Sequence, residues 1–226
     1  MVTPLHRPPG SRPIAIAHRA GNHLDSLKLA ETANMDLIEA DIWHYQGRIE
    51  IRHLKTIGPL PVLWDRWELR SGTGPRLLLP ELLRAASPST TLMLDLKGQN
   101  PRLAQAVADA CEREMAGRPV VICARHWPLL EPFAGNPLVT PVHSVGNRRQ
   151  LAAVLARLDQ HPQPAVSIHE RLLTPESVDL LKQLGAAIVT WPINTADGLA
   201  RMTALDVDGV ISDELPLLED VVATRL

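Results

Sequence analysis

Eight short runs rich in isoleucine, valine and leucine, separated by longer stretches with helical spacing, restrict the fold of this chain more than any other feature of its sequence. The runs cover residues 14–19, 36–43, 92–97, 120–125, 138–143, 164–169, 186–192 and 209–213. Helical patterns fill 23–34, 101–116, 147–159, 174–184 and 195–205, and Thr174, Pro175 and Glu176 together form a helix start. This βαβα rhythm predicts a parallel sheet covered by helices. It fits either a closed barrel or an open doubly wound sheet, which differ in strand order. The polar residues favour the barrel. The runs have apolar bodies and end in His18-Arg19, Asp41, Asp95 to Lys97, Arg125, His143, His169, Trp191 and Asp213. A barrel builds its site from many strand C-termini at one rim, whereas an open sheet gathers such residues at its switch point. The expected fold class is α/β, a (β/α)8 TIM barrel.

At 226 residues one domain is the expectation, with a proline-rich arm over 1–13 and the barrel over 14–226. One segment breaks the rhythm. Residues 46–53 alternate like a short strand, with Ile49, Ile51 and His53 on one face, and the stretch 54–76 follows as a small excursion or lip after the second barrel strand. Trp64, Trp67 and Leu77 to Leu79 in or beyond it read first as satellite core and second as an apolar lip for a lipid tail. The net charge of -2 gives no electrostatic footprint for nucleic acid. The start lacks a secretory apolar region, and no run of about 20 apolar residues follows, so a soluble cytoplasmic protein without stable membrane insertion is expected. Cys111 and Cys123, without CxxC spacing, read as buried thiols.

The chemistry-bearing residues share faces. In 36–43 the alternation of a strand puts Glu39 and Asp41 on one side and Ile38, Ala40 and Ile42 on the other; Asp95 and Lys97 repeat the arrangement opposite Leu94 and Leu96. Carboxylates crowded inside a barrel repel one another and lose hydration, which a cation relieves. Three of them make an oxygen-ligand site for Mg²⁺ or Ca²⁺. The structural alternative is that such acids bond loop amides or pair with Lys and Arg. His18 and His53 suit the division between base and acid that phosphodiester cleavage needs, and Arg19 and Lys97 suit a phosphate. With nine histidines in the chain, the reading rests on the set rather than on any one ring.

HRAGN at 18–22, EADIW at 39–43, His53, LDLKG at 94–98, TWPIN at 190–194 and DGVISD at 208–213 together resemble, in order and over almost the whole chain, the glycerophosphodiester phosphodiesterase family. The resemblance implies a TIM barrel with a divalent metal, Mg²⁺ or Ca²⁺, on Glu39, Asp41 and Asp95, and acid-base roles for His18 and His53. It implies phosphate contacts from Arg19 and Lys97; Asn22, the one residue matching the ENT triplet, is expected to bind substrate with them, and Trp191 either stacks on a polyol and lines the pocket or is a large core side chain near the rim. A glycerophosphodiester would be the substrate, with attack by a neighbouring hydroxyl giving a cyclic phosphate. Three departures stand out. The family's ENT triplet falls on Gly21-Asn22-His23 and loses its glutamate, the HD pair becomes His53-Leu54, and the acid of ExK is Asp95, one methylene shorter.

Weaker expectations attach to other positions. Asn194 bonds a substrate or caps the helix starting near Thr195, His143 and His169 are structural or line the mouth, and Asp213 caps the last short turn. Two readings of different class stay open: a glycerophosphodiester-binding barrel without turnover, and an aldolase-like barrel with Lys97 as the Schiff-base lysine. A lysophospholipase D-like enzyme on lipid substrates is the catalytic variant. No GxSxG elbow or glycine-rich phosphate loop is present in the sequence.

Overall fold

Parallel strands β1 (Ile14–Ala17) and β2 (Leu37–Tyr45) begin a ring that β7 (Leu92–Leu96), β8 (Val120–Ala124), β9 (Val139–Val145), β10 (Ala165–His169), β11 (Ala187–Trp191) and β12 (Gly209–Ser212) complete. The computed structural model describes residues 4–8, 10–56, 62–65, 68–71, 75–161 and 164–224. The hydrogen-bonded order β1-β12-β11-β10-β9-β8-β7-β2 closes on itself through the pairing of β1 with β2. An open sheet has no such closure, so the expected eight-stranded barrel is the fold. Helices α1 (Leu24–Thr32), α2 (Leu79–Ala85), α3 (Pro101–Glu114), α4 (Arg148–Leu158), α5 (Pro175–Gln183), α6 (Ala196–Ala204) and α7 (Leu215–Ala223) accompany the strands.

Strand alternation divides the core in two. Ile14, Ile16, Leu37, Met93, Val121, Val142, Val189 and Ile211 fill the barrel interior. Ile38, Ala40, Ile42, Leu94 and Ile122 pack outward against helix residues such as Leu27, Leu82, Leu103 and Val107. Leu5 is almost wholly buried in the interior cluster, and Arg7 Nε donates to the Val207 carbonyl at 3.2 Å. Leu5 and Arg7 of the expected N-terminal arm thus pack against the barrel. Thr174 starts α5 as expected, accepting from the Ser177 amide.

The crossover from β8 to β9 is a 3-10 helix, Trp127–Phe133, because Pro128 and Pro132 interrupt the apolar pattern that would otherwise make an α-helix. β9 runs two residues past His143, so that ring does not end its strand. It is buried, edge-on to Trp127 at 5.5 Å between centroids and 5.0 Å from His161. His143 is structural and is removed from the mouth.

The excursion is a hairpin. β3 (Arg48–Ile51) runs antiparallel to β2, with Trp43 opposite Glu50, and Gln46 and Gly47 turn the chain with φ of 47° and 77°. Two successive positive φ values define the tight hairpin turn that matches strand twist. Beyond it, β4 (Lys55–Thr56), β5 (Val62–Asp65) and β6 (Glu68–Ser71) form a separate three-stranded antiparallel sheet. Leu79 is buried, in keeping with satellite core, but Trp64 is 40% exposed and Leu69 68% exposed. For Trp64 the satellite-core expectation fails because its strand has solvent on that face; Trp67 lies outside the described residues.

Candidate active site

Register sets the site. Asp41 of β2 sits directly beside Asp95 of β7, with Glu39 two residues lower on the same inward face. Like charges side by side on neighbouring strands destabilise a sheet unless something neutralises them. Ligand oxygens of Glu39, Asp41 and Asp95 lie within 4.8 Å of one another. Lys97 reaches back along β7 to form ion pairs with Asp95 and, at 2.6 Å, with Asp41 Oδ1. Three carboxylates against one ammonium leave a surplus of negative charge in a buried place.

The individual acids carry that surplus differently. Burial, then the charge of Asp41, push the Glu39 carboxyl up to about 7. Asp41 is fully buried, yet the hydrogen bond to His53 and the charge of Lys97 outweigh desolvation and hold it below the ordinary range. Burial raises Asp95, only partly offset by Lys97, whose own ammonium is held protonated by the acids despite its burial. Neighbouring carboxyls driven apart in this way mark a site built to take up charge.

Two imidazoles face this cluster, each held through Nδ1 by a carboxylate. His18 Nδ1 lies 2.7 Å from Asp213 Oδ1, and His53 Nδ1 lies 3.2 Å from Asp41 Oδ2. A carboxylate on Nδ1 fixes the tautomer that carries its proton there and directs Nε2 away for chemistry. Burial works against a charged His18, but the Asp213 hydrogen bond and the charge of Glu39 win, and its pKa is raised. His53 is positioned by its neighbours: Arg52, buried under Trp43 and Tyr45 at 4.9 and 5.6 Å from their ring centres, bonds Glu50 Oε2 at 3.0 Å and also the Leu54 carbonyl.

The turn after β1 shapes the other wall. Arg19 holds a left-handed backbone with φ 54°, a strained state for a non-glycine residue, and its amide donates to Glu39 Oε2 at 2.7 Å. Its Nε lies 3.9 Å from Asp41 Oδ2 and makes no hydrogen bond. At Gly21 a Cβ would come within 2.8 Å of the Ala40 Cβ, so a glutamate there would not fit against β2. The missing family glutamate is thereby a packing solution.

Asn22 departs from its expected role. It is buried, donates to Asp41 Oδ2 and accepts from the Asp41 amide, both at 2.8 Å, so it clamps a cluster carboxylate rather than facing a substrate. Asp213, expected as a turn cap, instead holds His18. Asn194 holds Asp213 in turn, donating to Oδ2 at 3.1 Å and accepting from the Asp213 amide at 3.0 Å, while Thr195 caps α6. Ring closure is the signal that reveals this: β12 pairs with β1 with Ser212 opposite Ala17, so the next residues, Asp213 and His18, are neighbours. Trp191 ends β11 half-buried on the interior cluster, with its ring 4.8 Å from that of His169.

A divalent cation fits the cluster by its donor chemistry. The three hard carboxylates suit Mg²⁺ or Ca²⁺. A cavity of about 240 Å³ lies between the end of β1 and helices α1 and α7, lined by Ala17, His18, Arg19, Leu29, Asp213 and Leu218, and none of the three acids lines it. A larger one of about 420 Å³, lined by Pro119, Phe133, Thr140 and Pro164, opens at the opposite strand ends and is no part of this site.

Fold and site define a TIM barrel whose C-terminal rim carries a three-carboxylate cluster and two carboxylate-held histidines. No protein-family model matches the chain, and no curated protein sequence does. Solved structures do. A phosphodiesterase of Oleispira antarctica, in complex with the product sn-glycerol-3-phosphate, is similar with TM-score 0.77 and 18% identity over 94% of this chain and 98% of that one. A glycerophosphodiester phosphodiesterase of Thermotoga maritima has TM-score 0.74 and 17% identity over 96% and 100%. A provisionally assigned glycerophosphoryl diester phosphodiesterase of Silicibacter pomeroyi has TM-score 0.79 and 17% identity over 96% and 95%. At such identities the likeness establishes the fold.

Proposed function

We propose that this chain is a metal-dependent glycerophosphodiester phosphodiesterase, cleaving a small glycerophosphodiester to an alcohol and a glycerol phosphate. The observation that carries the reading is the meeting, at one barrel rim, of Glu39, Asp41 and Asp95 with two histidines oriented by carboxylates. The likeness in fold to structures described as glycerophosphodiester phosphodiesterases supports it. Mg²⁺ or Ca²⁺ held by the three acids would supply Lewis-acid polarisation of a phosphoryl oxygen and orientation of the attacking hydroxyl.

The chain's own residues do the rest. Of His18 and His53, one accepts the proton of the attacking hydroxyl as its oxygen bonds phosphorus, and the other gives a proton to the leaving oxygen as the P–O bond breaks. The raised pKa of His18 keeps a protonated ring available for the second task. Attack by a neighbouring hydroxyl of the glycerol releases the alcohol and leaves a cyclic phosphate; water then adds to phosphorus, giving its proton to one imidazole, while a ring P–O bond breaks and its oxygen takes a proton from the other, to yield glycerol phosphate. Arg19, with its unbonded Nε, and Lys97 offset the charge of the phosphoryl group, and the half-buried Trp191 ring gives the polyol a surface to stack on. Lys97 locked between two carboxylates is protonated, which argues against a Schiff-base role.

The test is a turnover panel of glycerophosphocholine, glycerophosphoethanolamine, lysophosphatidylcholine and a generic diester, each with and without Mg²⁺ or Ca²⁺. Ion-dependent release of glycerol phosphate is expected. Calorimetric binding with no product would replace the proposal with a binding barrel. The exposed Trp64 and Leu69 favour, as a second reading, a lysophospholipase D-like enzyme whose lip takes a lipid tail; faster turnover of lysophosphatidylcholine than of glycerophosphocholine distinguishes the two.

A further inference from the structure

The barrel mouth is electrically divided. Its acids lie on and beside β1, β2, β7 and β12, while the loops leaving three consecutive strands on the other side are basic. Arg125 and His126 follow β8, Arg148 and Arg149 follow β9, and His169, Glu170 and Arg171 end or follow β10. The one acid among these, Glu170, is already paired with Arg201. The arginines at 125, 148, 149 and 171 are exposed, and no ion pair to an acid is found for any of them among the described residues.

Two observations show that this is arranged around the mouth. Alternation places Arg125 on the inward face, one step above Cys123 of the interior cluster, and His169 one step above Ser167 on the face of Ala165. The inward position between them, just beyond β9, is Gly146. Any Cβ there would overlap the Arg125 guanidinium, so the missing side chain is the space through which Arg125 lies across β9 toward β10. Burial, then the charges of Arg171 and Arg125, depress the His169 imidazole, so both guanidinium groups lie within electrostatic reach of that ring. Arg148 and Arg149 add a second sign. They occupy the first turn of α4, where the helix dipole disfavours cations, so local stability does not explain them.

We propose that this basic rim binds a second anionic group on the leaving-alcohol side of the substrate. The preferred substrate is then a glycerophosphodiester whose other alcohol bears a phosphate or carboxylate, rather than choline or ethanolamine. The inference rests on the phosphodiesterase reading. With the reacting phosphate between the acidic cluster and Arg19, the leaving alcohol extends toward His169 and Trp191, where Arg125 and Arg171 supply charge-assisted hydrogen bonds.

The test compares glycerophosphoglycerol with its terminally phosphorylated form. The expected result is a kcat/KM about tenfold or more higher for the phosphorylated diester, falling as salt rises because the arginines are exposed. The ratio should drop toward one in Arg125→Gln/Arg171→Gln and return in part in Arg125→Lys, which keeps the charge. Equal kcat/KM in the wild type, or a ratio that survives the double substitution, overturns the proposal. Calorimetry with the same two molecules keeps the two readings apart. Tighter, arginine-dependent binding of the phosphorylated molecule without turnover of either condemns the phosphodiesterase reading and retains the basic subsite. Turnover of both without preference does the reverse. Arginine-dependent sedimentation with phosphatidylglycerol vesicles, absent a preference between the soluble diesters, would make the rim a membrane-docking surface instead and also overturns the proposal.

Discussion

Replacing Asp213 by asparagine should do more than remove one charge, because Asn194 decides which way the new amide turns. Asn194 donates to Oδ2 of Asp213, so in Asp213→Asn that position must still accept, and the amide oxygen goes there. The amide nitrogen then faces His18 Nδ1, where the carboxylate Oδ1 now lies at 2.7 Å. A donor in that place forces Nδ1 to accept, moves the ring proton to Nε2 and opposes the imidazolium. A hydrogen bond between charged partners contributes about 1.5–3 kcal/mol. Asp213 is 41% exposed, so screening reduces this to about 1 kcal/mol. At about 1.36 kcal/mol per pH unit that is roughly 0.7 unit. The sign follows from the raised pKa: the carboxylate favours the charged ring, so its loss lowers the His18 pKa, and burial then carries it further down. The limb of the kcat/KM profile belonging to His18 should move to lower pH, with a loss in rate of about 10²- to 10⁴-fold because the ring no longer keeps a proton on Nδ1 while Nε2 gives one away. Nitrogen NMR of the imidazole reads the tautomer directly, and adding Asn194→Ala, which frees the amide to turn back, should restore part of the rate. An unmoved profile, or a double variant no better than the single one, would refute this reasoning.

Four further outcomes follow from the same structure. His53→Ala should slow the chemical step by about a hundredfold or more, as seen in single-turnover rates. Asn22→Ala strips Asp41 of two bonds and should weaken divalent-ion binding by about 10- to 100-fold, measured by calorimetry, while lowering stability by about 1–3 kcal/mol in urea titrations. Gly21→Ala pushes a methyl group against Ala40 and should cost about 1–3 kcal/mol. Leu5→Ala empties part of the barrel floor at about 2–5 kcal/mol by thermal unfolding; a loss under 0.5 kcal/mol would show that the arm does not close the barrel.

Much of this architecture was legible in the sequence because a parallel barrel writes itself twice, once in the alternation of strands and helices and again in the polar residue at each strand end. All eight strands fall where the apolar runs predict them. Inward Glu39, Asp41 and Asp95 follow from the period of a strand alone. What stayed hidden depends on contacts between distant segments. Asp213 beside His18 requires ring closure, and Asn22 clamping Asp41 requires the turn after β1 to fold down on β2. The structural reading of His143 agrees with its burial, but the end of its strand was misplaced because β9 continues two residues beyond the polar side chain. α2 went unseen because only seven residues form it, and α7 because its proline-containing start reads equally as a turn. The buried pair of Glu50 and Arg52 defeats pattern reading for a different reason. Polar letters on both sides of an alternating run suggest solvent, whereas here Trp43 and Tyr45 cover the guanidinium.

The proposed ion shared by Glu39, Asp41 and Asp95 is tested most directly by diffraction from crystals soaked in Mn²⁺. An anomalous peak bonded to oxygens of Glu39, Asp41 and Asp95, lost in Asp41→Asn together with Mn²⁺-supported turnover, is the expected result. A fully active protein whose crystals show no peak there, with the Lys97 ammonium still seated between Asp41 and Asp95, would contradict it.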